Sequence, residues 1–309
     1  MAAIKMALVG LGKIASDQHV PVLRTLYDAF ELVATADPVA RLEKTRSYLD
    51  LDRLLQEERE VGAVAICTPP QLRAKLARVA LEHDCHVLLE KPPATSIKDA
   101  EALLALANEH KRVIFAAWHS RFAAGVEPAR TWLRARRVLA VRIQWLEDVR
   151  VWHPGQAWIW KSGGFGVFDP GINALSILTR LLPGAVLLRG AELNVPTNCE
   201  TPISARLNLK TPQTELISVE LDFLHDGPPR WDIEVDTDDG GMRLSKGGAV
   251  LEINGRQVVE AADAEYRALY RHFAALIAKE RVDMDLTPLR IVADALRLGR
   301  QNAVAPFRE

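Results

Sequence analysis

Two pairs of residues in this chain have the types and neighbours needed to move a proton at a hydroxyl-bearing carbon. The first is Glu90-Lys91, which closes the apolar run His86–Leu89 and is followed by Pro92-Pro93. A lysine ending such a run is partly desolvated. Burial lowers a lysine pKa and suits the group to proton exchange near neutrality. The same position is equally compatible with an ordinary solvated charge. The second pair is Asp169 and Asn173. Asp169-Pro170 ahead of a periodic run reads as a helix N-cap with proline at the first helical position. Asp169 and Asn173 then lie one turn apart on one face, offering a carboxylate and an amide to one small polar ligand. A purely structural cap uses the same Asp-Pro pair.

A second set of residues suits a dinucleotide. Gly10-Leu11-Gly12-Lys13-Ile14-Ala15 directly follows an apolar run. Gly10 permits a tight turn, Gly12 lets backbone approach a pyrophosphate at the next helix N-terminus, and Ala15 keeps helix and strand close. Asp37 follows the second apolar run, where a carboxylate accepts from a ribose 2′-hydroxyl and repels a 2′-phosphate. This favours NAD over NADP, although Arg41 and Arg46 are close in sequence and soften the preference. Asp37-Pro38 also fits a plain turn.

A third set lies in the C-terminal half. Glu147 falls on the apolar side of the alternating segment Val141–Val149, which is costly without a partner. Trp145, Trp152, His153, Trp158, Trp160 and Trp231 accompany it. Indoles make platforms for the C–H faces of sugars and nearby polar groups fix hydroxyls. Each single tryptophan is also consistent with core packing.

The elements that must position these groups fall into two parts. Strands are expected at Ile4–Val9, Leu32–Ala36, Ala63–Cys67, His86–Glu90 and Val113–Ala117, with helical patterns between them. The clearest helix is Ile97–Asn108, entered through a Ser96/Asp99 capping box. Strands alternating with helices imply βαβ units and a doubly wound parallel sheet. The rhythm then changes: Val141–Val149, Ile217–His225 and Trp231–Thr237 alternate with period two, and Lys246-Gly247-Gly248 and Asn254-Gly255 are hairpin signals. Helices are expected near Asn173–Leu182, Tyr266–Lys279 and Pro288–Arg300. The fold class is therefore α/β, with a Rossmann domain over residues 1–121. An α+β domain over 122–309, expected to serve substrate binding and oligomerisation, carries a large, mainly antiparallel open sheet.

Composition narrows the function. The 309 residues are 49% hydrophobic and 26% charged, with a net charge of −1. That balance gives no basic field for nucleic acid and no polybasic membrane anchor, and no apolar run approaches a membrane span. Cys67, Cys85 and Cys199 are odd in number and widely spaced, as in a reducing cytoplasm. The local cluster His83, Asp84, Cys85, His86 straddles a helix end and a strand start, with no HExxH or CxxC pair, so no metal is expected. No G-x-S-x-G marks a serine hydrolase.

Taken together, GLGKIA (10–15), CTPP (67–70) and EKPP (90–93) resemble the family of glucose–fructose oxidoreductase and inositol dehydrogenase, the Gfo/Idh/MocA family. KIASDQHVP (13–21), WHSR (118–121), EDVRVWHPGQAWIW (147–160) and GVFDPGINALSI (166–177) are similar to its branch of bacterial D-galactose and L-arabinose 1-dehydrogenases. The resemblance spans nearly the whole chain. It implies an NAD(P)-dependent oxidoreductase acting at C1 of D-galactose, L-arabinose or D-fucose to give the aldonolactone. It implies nucleotide binding by Gly10, Gly12, Lys13, Ile14, Asp37, Thr68, Pro69, Glu90 and Lys91. Catalysis falls to Lys91, Asp169 and Asn173, and sugar binding to Lys91, His119, Glu147, Trp152, His153, Asp169, Asn173 and Trp231. The wider family usually carries a histidine base one turn after the aspartate. Here that position is Asn173, and an amide cannot act as base, so the proton acceptor is Asp169 or Lys91. Relatives are oligomers, which implies a homo-oligomer, a dimer or tetramer, in the cytoplasm. Oxidation of another polyol or a dihydrodiol, and a non-catalytic nucleotide-sensing regulator, are the competing expectations.

Overall fold

The computed structural model describes residues 3–182, 184–262 and 264–309. The chain forms two compact units. One comprises residues 1–118 with Tyr266–Asp285, the other His119–Glu265 with Leu286–Glu309. This corrects the expected division at 121/122. The crossover falls at 118/119, and a piece of the expected second domain belongs to the first unit. The reason is aromatic packing: Tyr270 and Phe273 of the helix Glu265–Ala278 are fully buried. Phe273 stacks on Phe30 and Phe115 at centroid distances of 5.8 and 6.0 Å. Periodicity shows that this helix has an apolar face, but not which sheet that face covers.

The first unit holds a six-stranded parallel sheet in the order β3-β2-β1-β4-β5-β6. The strands are β1 (Ile4–Val9), β2 (Phe30–Ala36), β3 (Arg46–Tyr48), β4 (Ala63–Ile66), β5 (His86–Glu90) and β6 (Ile114–Ala117). β4 and β6 are buried along their whole length, as strands covered on both faces must be. The short edge strand β3 has no apolar run to announce it. Helix Ile97–Glu109 begins as expected, with Ser96 Oγ accepting from the Asp99 amide at 3.1 Å. The helix after the glycine turn differs from expectation: residues 15–19 are widened to a π turn, with the Val20 amide bonded to the Ala15 carbonyl. Pro21 lacks the N–H that would continue the regular ladder, and such insertions follow.

The second unit is built on a nine-stranded sheet. Its strands are β7 (Val138–Leu146), β8 (Leu187–Pro196), β9 (Ser204–Lys210), β10 (Leu216–Asp222), β11 (Arg230–Thr237), β12 (Gly240–Ser245), β13 (Val250–Ile253), β14 (Arg256–Glu260) and β15 (Arg300–Val304). Their order is β14-β13-β12-β11-β7-β10-β9-β8-β15, antiparallel except for the β7–β10 and β8–β15 pairs. Alternation is strict. Val141, Ile143 and Trp145 of β7 lie beside Ile217, Val219 and Leu221 of β10 and beside Val235, Ile233 and Trp231 of β11. Helices Val126–Leu133, Phe168–Leu181 and Thr287–Leu298 cover this apolar face. Asn254 (φ 50°) and Gly255 (φ 74°) make the expected tight turn between β13 and β14, since a type I′ turn needs positive φ at both centres.

Two expected boundaries move. β7 stops at Leu146, and Val149 opens a short helix, Val149–Trp152, capped by the Asp148 carboxylate, which accepts from the Arg150 amide at 2.9 Å. Helix Phe168–Leu181 starts five residues ahead of the expected Asn173, so Asp169 is inside its first turn and is not its N-cap. Positive φ at Phe165 and Gly166 turns the chain early. A Cβ on Gly166 would stand 2.2 Å from the Pro202 carbonyl oxygen, so only glycine allows this entry.

Candidate functional site

In the first unit the glycine turn, the second strand end and the two proline-rich segments lie at the carboxyl edge of the parallel sheet, where open α/β sheets bind ligands. Gly10 has φ +85°, and a Cβ there would stand 2.9 Å from the Thr68 nitrogen. The turn is thus wedged against the Cys67-Thr68 backbone. Gly12 has nothing within 4 Å of the Cβ it lacks, which leaves room for a phosphate against the backbone. Asp37 accepts the Leu11 amide at 2.8 Å, and the Val39 and Ala40 amides at 2.9 and 2.8 Å. Burial pushes its carboxyl up, but these three amides together with Arg41 outweigh it and hold the group below the ordinary carboxylate range. A carboxylate has about four lone-pair sites, so one remains for a ribose hydroxyl. Arg41 is spent on the carbonyls of Asp37 and Ala40, and Arg46 pairs with Glu58.

Thr68 Oγ1 is buried without a hydrogen-bond partner. An orphan hydroxyl beside an open glycine turn is compatible with a polar ligand there. These residues fit a nicotinamide dinucleotide: Gly10, Gly12, Lys13 and Ile14 at the helix entry, Asp37 at the ribose end, and Thr68-Pro69 alongside.

Glu90 is buried at 1% exposure. It accepts from the Tyr266 hydroxyl at 2.6 Å, from the Lys91 amide at 3.0 Å, and pairs with His19 Nε2 at 2.9 Å, while His19 Nδ1 meets the Tyr270 hydroxyl at 2.7 Å. Burial pushes the Tyr270 phenol well above its ordinary range, so it stays a neutral partner. Arg73, also buried, donates to the carbonyls of Thr68 and Pro92 at 2.8 and 2.6 Å. This cross-brace ties the segment before Pro69 to the segment after Lys91. Sequence reasoning missed His19, Tyr266, Tyr270 and Arg73. His19 lies in a motif already singled out, but nothing in spacing joins it to a residue 251 positions away.

In the second unit, Glu147 is 2% exposed and has the partners its position demands: His153 Nε2 at 2.7 Å and Trp231 Nε1 at 2.8 Å. Trp231 stands opposite Trp145, stacked at 6.1 Å, and its ring meets Trp152 at 4.7 Å. Four expected sugar-binding residues, Glu147, Trp152, His153 and Trp231, therefore form one cluster at the end of β7. The start of helix Phe168–Leu181 packs at this same sheet end: a Cβ on Gly171 would meet Leu221 at 2.6 Å, and Leu221 pairs with Trp145. That close approach places Asp169, 5% exposed, and Asn173 one turn on. Asn173 Oδ1 is buried and lacks a partner. His119 bonds Glu265 at 2.6 Å, and Arg121 ties its turn to the Ser176 carbonyl and Thr179 hydroxyl. Trp158 and Trp160 lie outside the cluster of four.

Across the described residues, no group of three or more His, Cys, Asp or Glu side chains is arranged to hold a metal. His83 and Asp84 pair with Asp52 and His110, while Cys85 and His86 turn toward backbone groups of Val61 and Val113.

A parallel-sheet unit with this glycine turn, joined to an open-sheet unit carrying buried carboxylates, defines a class: NAD(P)-dependent oxidoreductases of Rossmann type. The profile of the Gfo/Idh/MocA oxidoreductase family, NAD-binding Rossmann fold, matches residues 4–117. A galactose 1-dehydrogenase of Pseudomonas fluorescens is 42% identical over 307 residues, 99% of each chain. The chain belongs to this family. The crystal structure of a D-galactose-1-dehydrogenase from Rhizobium etli superposes with a TM-score of 0.95 at 44% identity, over 100% of this chain and 99% of that one. A 3-ketoreductase from Actinomadura kijaniata, solved with NADP, shares the fold (TM-score 0.85, 98% and 99% covered) at 18% identity.

Proposed function

We propose that this oxidoreductase is an aldose 1-dehydrogenase that oxidises the C1 hydroxyl of D-galactose, and of L-arabinose and D-fucose, to the aldonolactone. The observation that carries the reading is the buried, unpartnered Asn173 Oδ1 one turn from buried Asp169, at the sheet end where Glu147, His153 and two indoles gather. Full-length similarity to two galactose 1-dehydrogenases supports it. Bound nicotinamide supplies the hydride acceptor. Asp169 is the proposed acceptor of the C1 hydroxyl proton, and Lys91, set by the Glu90 network, assists. Asn173 holds a sugar hydroxyl as a neutral group, because the anomeric hydroxyl is acidic enough for a carboxylate to suffice. Trp152 and Trp231 give the ring faces, while Glu147, His153 and His119 fix hydroxyls.

The three sugars share their stereochemistry from C1 to C4 and differ at C5, where one small group is worth only ~1–3 kcal/mol, so they should be accepted together. We further propose a cytoplasmic homo-oligomer, dimer or tetramer. The open face of the nine-stranded sheet, with a concavity of about 730 Å³ edged by Arg142, Arg206 and Glu220, supports a self-association surface. No helix of the described residues is long and apolar enough to cross a membrane.

The test is initial-rate reduction of NAD, then NADP, over D-galactose, L-arabinose, D-fucose, D-xylose, D-glucose and myo-inositol. Rates confined to the first three are expected. Rates with inositol alone overturn the substrate. No rate with any sugar, while nucleotide still binds, favours a sensing protein.

A further inference from the structure

The segment between Asp148 and Lys161 forms an arch. One limb is the short helix Val149–Trp152, the other the single turn Ala157–Trp160, and His153-Pro154-Gly155 lies between them. Trp152 and His153, both near the crown, are the members of the aromatic and polar cluster that the arch carries. Both limbs are anchored by backbone hydrogen bonds. The Trp160 limb is tied by backbone, its carbonyl accepting the Glu200 amide at 2.9 Å, and the Ile159 carbonyl takes the Thr201 hydroxyl at 2.9 Å. The other limb is tied at its base, where the Val149 amide donates to the Phe223 carbonyl at 3.0 Å, while Val151 and Trp152 farther along are 67% and 40% exposed.

Phe307 joins the two. Its ring lies 4.7 Å from that of Trp160, and the Arg150 guanidinium sits over it at 5.5 Å. Arg150 also donates to the Arg308 carbonyl at 3.4 Å. Asn198 clasps the Phe307 peptide from both sides: its Oδ1 accepts the amide at 2.9 Å and its Nδ2 donates to the carbonyl at 2.8 Å. From Phe307 a run of ring contacts leads inward, Trp160 to Phe223 at 5.7 Å and Phe223 to His153 at 5.5 Å. His153 then meets buried Glu147.

We propose that Phe307, clasped by Asn198, is a positioning residue for sugar binding, fixing the arch and with it Trp152 and His153. This rests on the reading of Trp152 and His153 as sugar contacts. Phe307 touches no reacting atom, so its loss should loosen ground-state binding and leave the chemical step intact.

Steady-state kinetics of Phe307→Ala with D-galactose and NAD test it. The galactose KM should rise about tenfold, with kcat and the NAD KM within about twofold and Tm within about 3 °C of wild type. Phe307→Tyr should restore the galactose KM. His153→Ala should raise it as well, and the double variant should be no worse than His153→Ala, because residues acting through one another are not additive. Should Phe307→Ala fold poorly, Asn198→Asp, which keeps the acceptor and loses the donor, takes its place with the same expectation. An unchanged galactose KM in Phe307→Ala, alongside a raised one in His153→Ala, overturns the proposal and leaves the sugar site standing. An unchanged KM in both removes the sugar-site reading and the proposal with it. A joint loss of kcat and NAD affinity that Phe307→Tyr shares would show a merely structural residue.

Discussion

At the scale of single residues, the proposed ligand contacts differ from the groups that hold them still. Lys91→Met and Asp169→Asn each should lower kcat/KM by about 10²–10⁴-fold while nucleotide binding survives, the usual contribution of a general acid–base group. Equilibrium titration with NADH, beside the kinetics, checks both halves, and turnover preserved in both variants removes the assignment. Asp37 braces the Leu11 turn, and its proposed second duty is to face a ribose. Asp37→Ala should therefore weaken NAD more than NADP, and equal weakening would leave only the bracing role. The residue types at these positions were legible in the sequence. Their partners were not: Glu147 and Trp231 are 84 positions apart, and only the pairing of β7 with β11 brings them together.

At the scale of elements, two glycines of one turn should respond differently. Gly10→Ala meets a positive φ and the Thr68 backbone. It should cost about 1–3 kcal/mol of stability, read as a lower denaturant midpoint. Gly12→Ala faces open space, so the fold should hold while NAD affinity falls. A stable Gly10→Ala, or a Gly12→Ala that binds NAD normally, contradicts the turn's reading. The Glu90 network is similar in kind. Glu90→Ala removes the carboxylate that pairs with His19 Nε2 and accepts from the Tyr266 hydroxyl in a buried place, at about 1–3 kcal/mol. The parallel strands, Ile97–Glu109 and the β13–β14 turn were readable because their signals are local. The start of helix Phe168–Leu181 was not, because Gly166 fits only against Pro202, which is distant in sequence. The π turn at residues 15–19 needed the ladder itself to reveal it.

At the scale of the molecule, acid should weaken the fold through His86. Burial first, and then Arg112, lower its pKa to about 4, and its Nδ1 accepts the Val113 amide at 2.9 Å. A base whose folded pKa lies below its unfolded value of about 6.5 binds its proton more readily when unfolded. Its contribution is therefore complete above pH ~6.5 and is lost as pH falls toward ~4. Allowing for partial exposure, the loss should be on the order of 1–2 kcal/mol. Urea unfolding of wild type and His86→Asn between pH 7.5 and 4.5 measures it; parallel pH profiles for the two would remove His86 as the cause.

Taken by itself, the sequence determined the class of each half, the glycine turn and the family, and it named the residue types on which the proposed site rests. These rest on period, turn chemistry and motif, all of which act within a few residues. Tertiary structure alone decided that Glu265–Ala278 serves the first unit, that Glu90 is held by His19 and Tyr266, and that Glu147 is paired rather than stranded. It also decided that Phe307 reaches the arch of residues 148–160. Each of these is a contact between residues far apart in the chain. Such contacts are set by which apolar faces find each other when the sheets close, and no local pattern encodes that choice.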